Sequence, residues 1–138
     1  YGPWGRPDMS YLKFLILNKD KKHIEIYNFG KHQRSFTYID DLISNLLKIM
    51  NFYKKYKKKG ESQVFNLGNE KNIKLMDFIK TLENITGIRF RKKFLKKQKG
   101  DIEKTGANLK IEKKKFGLKF DYTLERGLIK FYDWFKNY

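Results

Sequence analysis

The apolar residues of this chain come in runs too short to close a sheet of their own. A two-residue alternation, the spacing of a strand, is confined to 24–28 (Ile24 and Ile26 inward), 34–39, 64–67 and a stretch through Ile88, Phe90 and Phe94. Between these runs the spacing changes to three and four. Met9, Leu12, Phe14, Leu15 and Ile16 predict a short helix ending near Asn18. Leu42, Ile43, Leu46, Leu47, Ile49, Met50 and Tyr53 predict a longer one from about 40 to Tyr56. Leu75, Met76, Phe78, Ile79, Leu82 and Ile85 predict a third, with Asn72 as N-cap and Gly87 as C-cap. A fourth runs from an Asn108 cap to Gly117. Thr123 caps the last, which carries Leu124, Leu128, Ile129, Phe131, Tyr132, Trp134 and Phe135. Five helices and three or four short strands, with no long buried parallel strand, describe an α/β piece that packs on a larger body.

The connections are polar. Residues 1–8 hold two prolines and two glycines and form a loop. Lys19, Asp20, Lys21 and Lys22 form a turn, 57–62 a solvated connector, and Gln98 to Asp101 another turn. Chemistry is constrained mainly by what is missing. Without cysteine there is no disulfide, no thiolate zinc site and no cysteine nucleophile. His23 and His32 are the only histidines, and no metal ligands are assigned. No apolar run approaches the roughly 18 residues of a membrane span, and the N-terminus has no signal pattern. The expected setting is cytoplasmic, without a membrane partner. The chain opens at Tyr1 as though inside a domain.

Thirty-two basic residues against 15 acidic give a net charge of +17. Only Arg6, Arg34, Arg89, Arg91 and Arg126 are arginine. The rest is lysine, in runs such as Lys57-Lys58-Lys59 and Lys113-Lys114-Lys115. Base-reading proteins lean on the arginine fork, so a solvated lysine surface is preferred to a nucleic-acid interface. The charge attracts anionic ligands in general.

The glycines include no pair separated by one residue, so the Gly-x-Gly-x-x-Gly loop of a dinucleotide fold is missing. No phosphate-cradling P-loop is present, and Ser10, Ser35, Ser44 and Ser62 lack a nucleophile elbow. Tyr-x-x-x-Lys occurs as Tyr27 with Lys31, Tyr53 with Lys57 and Tyr132 with Lys136. So many tyrosines and lysines produce such pairs by chance, and none is assigned as catalytic. Asp40 and Asp41 are read as helix N-terminal charges rather than a catalytic pair.

Three segments in order carry a resemblance: Tyr1-Gly2-Pro3-Trp4-Gly5-Arg6-Pro7-Asp8-Met9, then Gln33-Arg34-Ser35-Phe36-Thr37-Tyr38-Ile39-Asp40-Asp41-Leu42, then Val64-Phe65-Asn66-Leu67-Gly68-Asn69. Together they resemble the C-terminal part of the extended short-chain dehydrogenase/reductases, the NAD-dependent nucleotide-sugar epimerases and dehydratases. The opening segment is similar to that of UDP-glucuronate 4-epimerases. The resemblance runs through Gln98-Lys99-Gly100-Asp101 to the last helix. It implies an α/β fold made of the substrate domain plus elements of a Rossmann-like sheet. The N-terminal Rossmann half, with its glycine loop and catalytic tyrosine and lysine, precedes this portion. Residues 1–138 are then a substrate-binding portion, inactive alone, with NAD held mainly by the other half and a UDP-sugar as substrate. The resemblance further implies a homodimeric parent that interconverts UDP-glucuronate and UDP-galacturonate by oxidation and reduction at C4, for polysaccharide biosynthesis.

Carried onto this sequence, the resemblance gives Arg34 to the diphosphate, Asp101 to the ribose and Gln98 to the nucleotide. Arg6 sits in a loop over the pocket, and Tyr1, Gly2 and Pro3 shape its wall. It places no catalytic residue in this chain. Asn69 follows a strand and is expected to stabilise a turn. Ser35 stands where the epimerases have aspartate, and Lys99 replaces a usual proline. Arg34-Ser35-Phe36 also resembles the UDP-glucuronate decarboxylases, so a decarboxylase or dehydratase parent stays open. So does a non-enzymatic basic module for nucleic acid or an anionic polymer.

Overall fold

The computed structural model describes residues 1–55 and 62–138. In chain order the elements are α1 (Ser10–Lys19), β1 (Ile24–Ile26), β2 (Gln33–Ser35), α2 (Ile39–Lys55), β3 (Asn72–Lys74), α3 (Leu75–Thr86), β4 (Lys92–Phe94), α4 (Lys110–Phe116) and α5 (Leu124–Lys136). The strands pair in two separate ladders. β1 and β4 run parallel, with Ile24 opposite Lys92 and Ile26 opposite Phe94. β2 and β3 run antiparallel, with Gln33 opposite Lys74 and Ser35 opposite Asn72. A tight turn over Tyr27–Gly30 joins β1 towards β2.

The main core gathers Tyr11, Leu12, Phe14 and Leu15 of α1, Ile24 and Ile26 of β1, and Phe90. From α3 come Phe78, Ile79 and Leu82, and from α5 come Leu128, Phe131 and Phe135. Each fully buried large side chain here contributes about 1.5–3 kcal/mol. Phe36 stacks on Phe78 at 4.8 Å, and the Tyr11 and Phe131 rings meet edge to face at 5.0 Å. One buried carboxylate is built into the frame. Glu83 Oε1 accepts the Phe90 N–H at 2.9 Å and the Lys92 ammonium at 2.5 Å. Burial favours its neutral acid, but the Lys92 ammonium and the Phe90 N–H prevail and hold the Glu83 pKa below the ordinary value.

A second, smaller core forms where α2 meets α4. Ile49, Phe116 and Leu118 are buried there, with Phe52, Tyr53, Phe65, Leu67 and Phe120 packed around them. α2 faces this core with polar side chains as much as with apolar ones. Asn45 is fully buried; its Nδ2 donates to the Asp41 and Lys119 carbonyls at 2.9 and 2.5 Å, and its Oδ1 accepts the Lys119 N–H. The Asp41 carboxylate accepts the Asp121 and Tyr122 N–H groups at 3.1 and 3.0 Å. The opposite face of the same helix presents Ile43, Leu46, Leu47 and Met50, each 42 to 50% exposed. Its apolar stripe points outward.

The helices follow the sequence expectation, including the Gly87 and Gly117 stops and the Thr123 cap, whose hydroxyl accepts the Arg126 N–H at 3.2 Å. The strands differ. The expected strand at 34–39 is ordered only as Gln33–Ser35, because Ile39 already opens α2. Residues 64–67 join no strand ladder among the described residues, and the Asn66 N–H goes to the Glu112 carboxylate at 2.9 Å. The strand expected around Ile88 and Phe90 lies at Lys92–Phe94, since Glu83 takes the Phe90 N–H. Asn72 is not a cap: it pairs in β3, and α3 starts behind Lys74 with no side-chain cap. Asn108 supports α4 from one residue further out, its Oδ1 accepting the Lys110 N–H behind a Leu109 N-cap. The helix end at Tyr56, the Lys57-Lys58-Lys59 run and most of the 57–62 connector lie outside the described residues. Among the described residues no helix is long and apolar enough to cross a membrane.

Candidate functional site

β2 is flanked on both sides. β3 covers one edge, and residues 103–105 run along the other. The Gln33 N–H donates to the Glu103 carbonyl at 2.8 Å, and the Thr105 N–H returns to the Gln33 carbonyl at 3.3 Å. This third, rudimentary strand brings the 98–101 turn against β2. The turn closes with the Asp101 N–H on the Gln98 carbonyl at 3.3 Å.

The Asp101 carboxylate there meets two basic groups. Its Oδ1 accepts Arg34 Nη2 at 3.2 Å, and its Oδ2 lies 2.9 Å from His32 Nε2. Arg34 Nη1 donates to the Gln33 and Glu103 carbonyls at 3.0 and 3.2 Å. These bonds fix the guanidinium while leaving its side chain 34% exposed. A cavity of about 380 Å³ opens beside it, lined among others by Tyr1, Tyr11, His32, Arg34, Ser35 and Thr37. An always-charged fork beside a cavity of mixed polarity suits an anionic ligand.

Arg34 and Asp101, 67 residues apart in the chain, are therefore in contact. Gln98 joins them through its backbone, with an exposed side chain that does not line this cavity. Arg6 is elsewhere: its fork is engaged by Asp8 at 3.1 and 2.6 Å on an exposed loop, and it does not line the cavity either. Tyr1 forms part of the wall. Its hydroxyl donates to the Leu124 carbonyl at 3.2 Å, and its ring lies over Gly127, where a Cβ would collide with it. Burial first, then Tyr38 and Asp41, push the Tyr1 phenol well above its ordinary pKa, so it stays protonated. Gly2, at φ 151°, packs on Ile39, where an added Cβ would come within 2.5 Å of a side-chain carbon. Pro3 is half-buried and outside the cavity lining.

Other sequence candidates resolve into structural roles. Asp40 and Asp41 part company: Asp40 accepts the Tyr122 hydroxyl at 3.0 Å and pairs with Lys130, while Asp41 holds backbone N–H groups. Asn69 does stabilise its turn, accepting the Lys71 N–H and donating its own to Thr37. Its carbonyl accepts the Ser35 hydroxyl. The Tyr27 hydroxyl goes to Glu25 and Lys136 goes to Asp133, while Lys57 lies outside the described residues. His32 is the residue that sequence reasoning missed. Nothing in its spacing marks it; the fold alone brings Asp101 against it.

A dinucleotide cradle needs a strand that runs through a glycine-rich turn into a helix N-terminus. Among the described residues none does, and β3 passes straight into α3.

No family model matches the chain. An uncharacterised protein of Methanocaldococcus jannaschii is 42% identical over 138 residues, covering 98% of this chain and 40% of that protein. UDP-glucuronate 4-epimerase 4 of Arabidopsis thaliana is 36% identical over 149 residues, covering 100% of this chain and 34% of that enzyme. Among solved structures, the UDP-glucuronic acid 4-epimerase of Bacillus cereus, in complex with UDP-glucuronic acid and NAD, matches with a TM-score of 0.85 at 31% identity. That match covers 99% of this chain and 42% of the other. The chain thus spans about two-fifths of the length of these relatives. Its fold and its ordered motifs match the C-terminal part of the extended short-chain dehydrogenase/reductases, the NAD-dependent nucleotide-sugar epimerases and dehydratases. Within that family it is similar to the UDP-glucuronate 4-epimerases, and NAD is the family's cofactor.

Proposed function

We propose that residues 1–138 are the substrate-binding portion of a nucleotide-sugar epimerase that interconverts UDP-glucuronate and UDP-galacturonate at C4. The observation that carries this reading is the Arg34 and Asp101 pair beside the Tyr1-lined cavity. Arg34 meets the diphosphate, its fork matching phosphate oxygens. Asp101 accepts ribose hydroxyl hydrogens. Gln98 and Arg6 are the further contacts that this reading assigns, and Tyr1, Gly2 and Pro3 keep the wall in shape. NAD supplies the hydride chemistry from residues outside this chain.

The outward stripe of α2 supports the same reading. The relatives are more than twice as long as this chain. On this reading the remaining length is a Rossmann half that covers Ile43, Leu46, Leu47 and Met50.

Two measurements test this. Calorimetric titration of the chain with UDP should give binding that Arg34→Ala weakens about ten- to a hundredfold, the loss expected for hydrogen bonds to a charged group. Equal affinities would remove Arg34 from the site. Incubation of the chain with UDP-glucuronate and NAD should yield no UDP-galacturonate; turnover would overturn the division of labour.

A further inference from the structure

We propose that His32 is a positioning residue of the anion site: a buried imidazole that shares Asp101 with Arg34 and, on protonation, takes over the balance of that carboxylate, so that the fixed guanidinium presents its charge to a nucleoside diphosphate sugar. This rests on the reading of Arg34 as the diphosphate contact.

Three observations meet at this ring. Its side chain is only 7% exposed, and the Leu75 N–H pins its backbone by donating to the His32 carbonyl at 2.9 Å. Its Nε2 stands 2.9 Å from Asp101 Oδ2, yet makes no aligned hydrogen bond. The ring lines the same cavity as Arg34. A buried ring nitrogen left without a well-directed partner is costly, and this one is turned towards the carboxylate that holds the arginine.

The charged groups around it are few. Asp101 and Arg34 share the contact, Lys31 is adjacent in sequence, and Glu103 comes from the segment alongside β2 with Lys97 on its carboxylate. With a neutral imidazole, the Asp101 charge is balanced by Arg34 alone, and part of the fork is occupied within the protein. A proton taken from solvent onto the ring places a full cation beside Oδ2. The carboxylate is then matched from the buried side, and the Arg34 charge, held in place by the Gln33 and Glu103 carbonyls, is less neutralised towards a phosphate. The cluster also gains one unit of positive charge, which favours an anion. Affinity for a nucleoside diphosphate sugar should therefore rise as pH falls through the range where histidine changes charge.

The test is calorimetry of the chain with UDP-glucose, whose diphosphate diester keeps a constant charge over the range used. Between about pH 8 and 5.5 the wild-type chain should bind roughly tenfold tighter at the lower pH, and His32→Gln should bind with no such gradient. A gradient that survives in His32→Gln, or none in the wild type, overturns the proposal. If Arg34→Ala binds like the wild type at both pH values, the diphosphate reading fails instead. A ligand-free arm covers weak binding or a variant that folds poorly. The two histidines give separate imidazole NMR signals, with the exposed His23 as internal reference. The Arg34 guanidinium resonance should shift with the midpoint of the His32 ring in the wild-type chain. An Arg34 signal that ignores the His32 titration overturns the coupling without any ligand.

Discussion

The main core and the α2 region are built on opposite plans. In the first, α1, α3 and α5 turn their apolar residues inward, and thirteen buried side chains form one continuous cluster. In the second, α2 turns Asp41 and Asn45 inward to grip the 119–122 backbone and leaves Ile43, Leu46, Leu47 and Met50 on the outside. The same hydrophobic pattern, i, i+3, i+4, i+7, therefore means two things. In α3 it marks what the chain itself has buried. In α2 it marks a face that the described residues leave exposed, the face that on the proposed reading the longer protein covers. One region closes its apolar residues among the described residues, and the other leaves an apolar face open.

The contrast can be broken most sharply at Phe78, which is fully buried and stacked on Phe36. Phe78→Ala should cost about 3–5 kcal/mol, read as a lower urea midpoint. A loss comparable to that of a surface substitution would mean that the main core is not the stabilising body of the chain.

The next effect concerns Glu83, the buried carboxylate of the closed region. Glu83→Gln leaves Lys92 without its counter-charge and should cost about 2–3 kcal/mol at neutral pH. The sign with pH follows from its lowered folded-state value. The stabilisation is fully present above the ordinary glutamate pKa of 4.5 and is lost as pH falls through the lower folded value. Urea midpoints of wild type and Glu83→Gln should therefore converge on acidification; a constant gap would show that its charge is not what holds β4.

The smallest effect belongs to the open region. Leu46→Lys and Leu47→Lys should change the stability of the chain by no more than about 0.5 kcal/mol, while reducing self-association in light scattering. A large loss of stability would mean that the outer face of α2 is already covered by its own chain.

The helices were legible because their information is local: a spacing, a cap, a glycine stop. The strands were not, because a strand is defined by a partner elsewhere in the chain. Residues 64–67 alternate like a strand, yet here they spend an N–H on Glu112. Lys92–Phe94 is a strand by virtue of its distant partner β1, while the Phe90 N–H just before it goes to Glu83. The site was legible in the same uneven way. Arg34 and Asp101 came from a resemblance of ordered motifs, and the fold brought them into contact. Arg6, equally basic, is tied up by Asp8 two residues away. His32 and Asn45 were invisible, since a lone polar residue shows its role only when distant backbone or a distant carboxylate arrives beside it.

The ring of Tyr1 lying over Gly127 bears on how this chain could be engineered. A glycine inside a helix costs about 1 kcal/mol relative to alanine, so a propensity-based redesign would replace Gly127 first. Here the bare backbone is the socket for a side chain from the far end of the sequence. An alanine would improve α5 as an isolated helix while unseating the residue that joins the opening loop, the cavity wall and the last helix. In this protein that glycine acts as a tertiary fastening, and local helix statistics would give the wrong sign for its replacement.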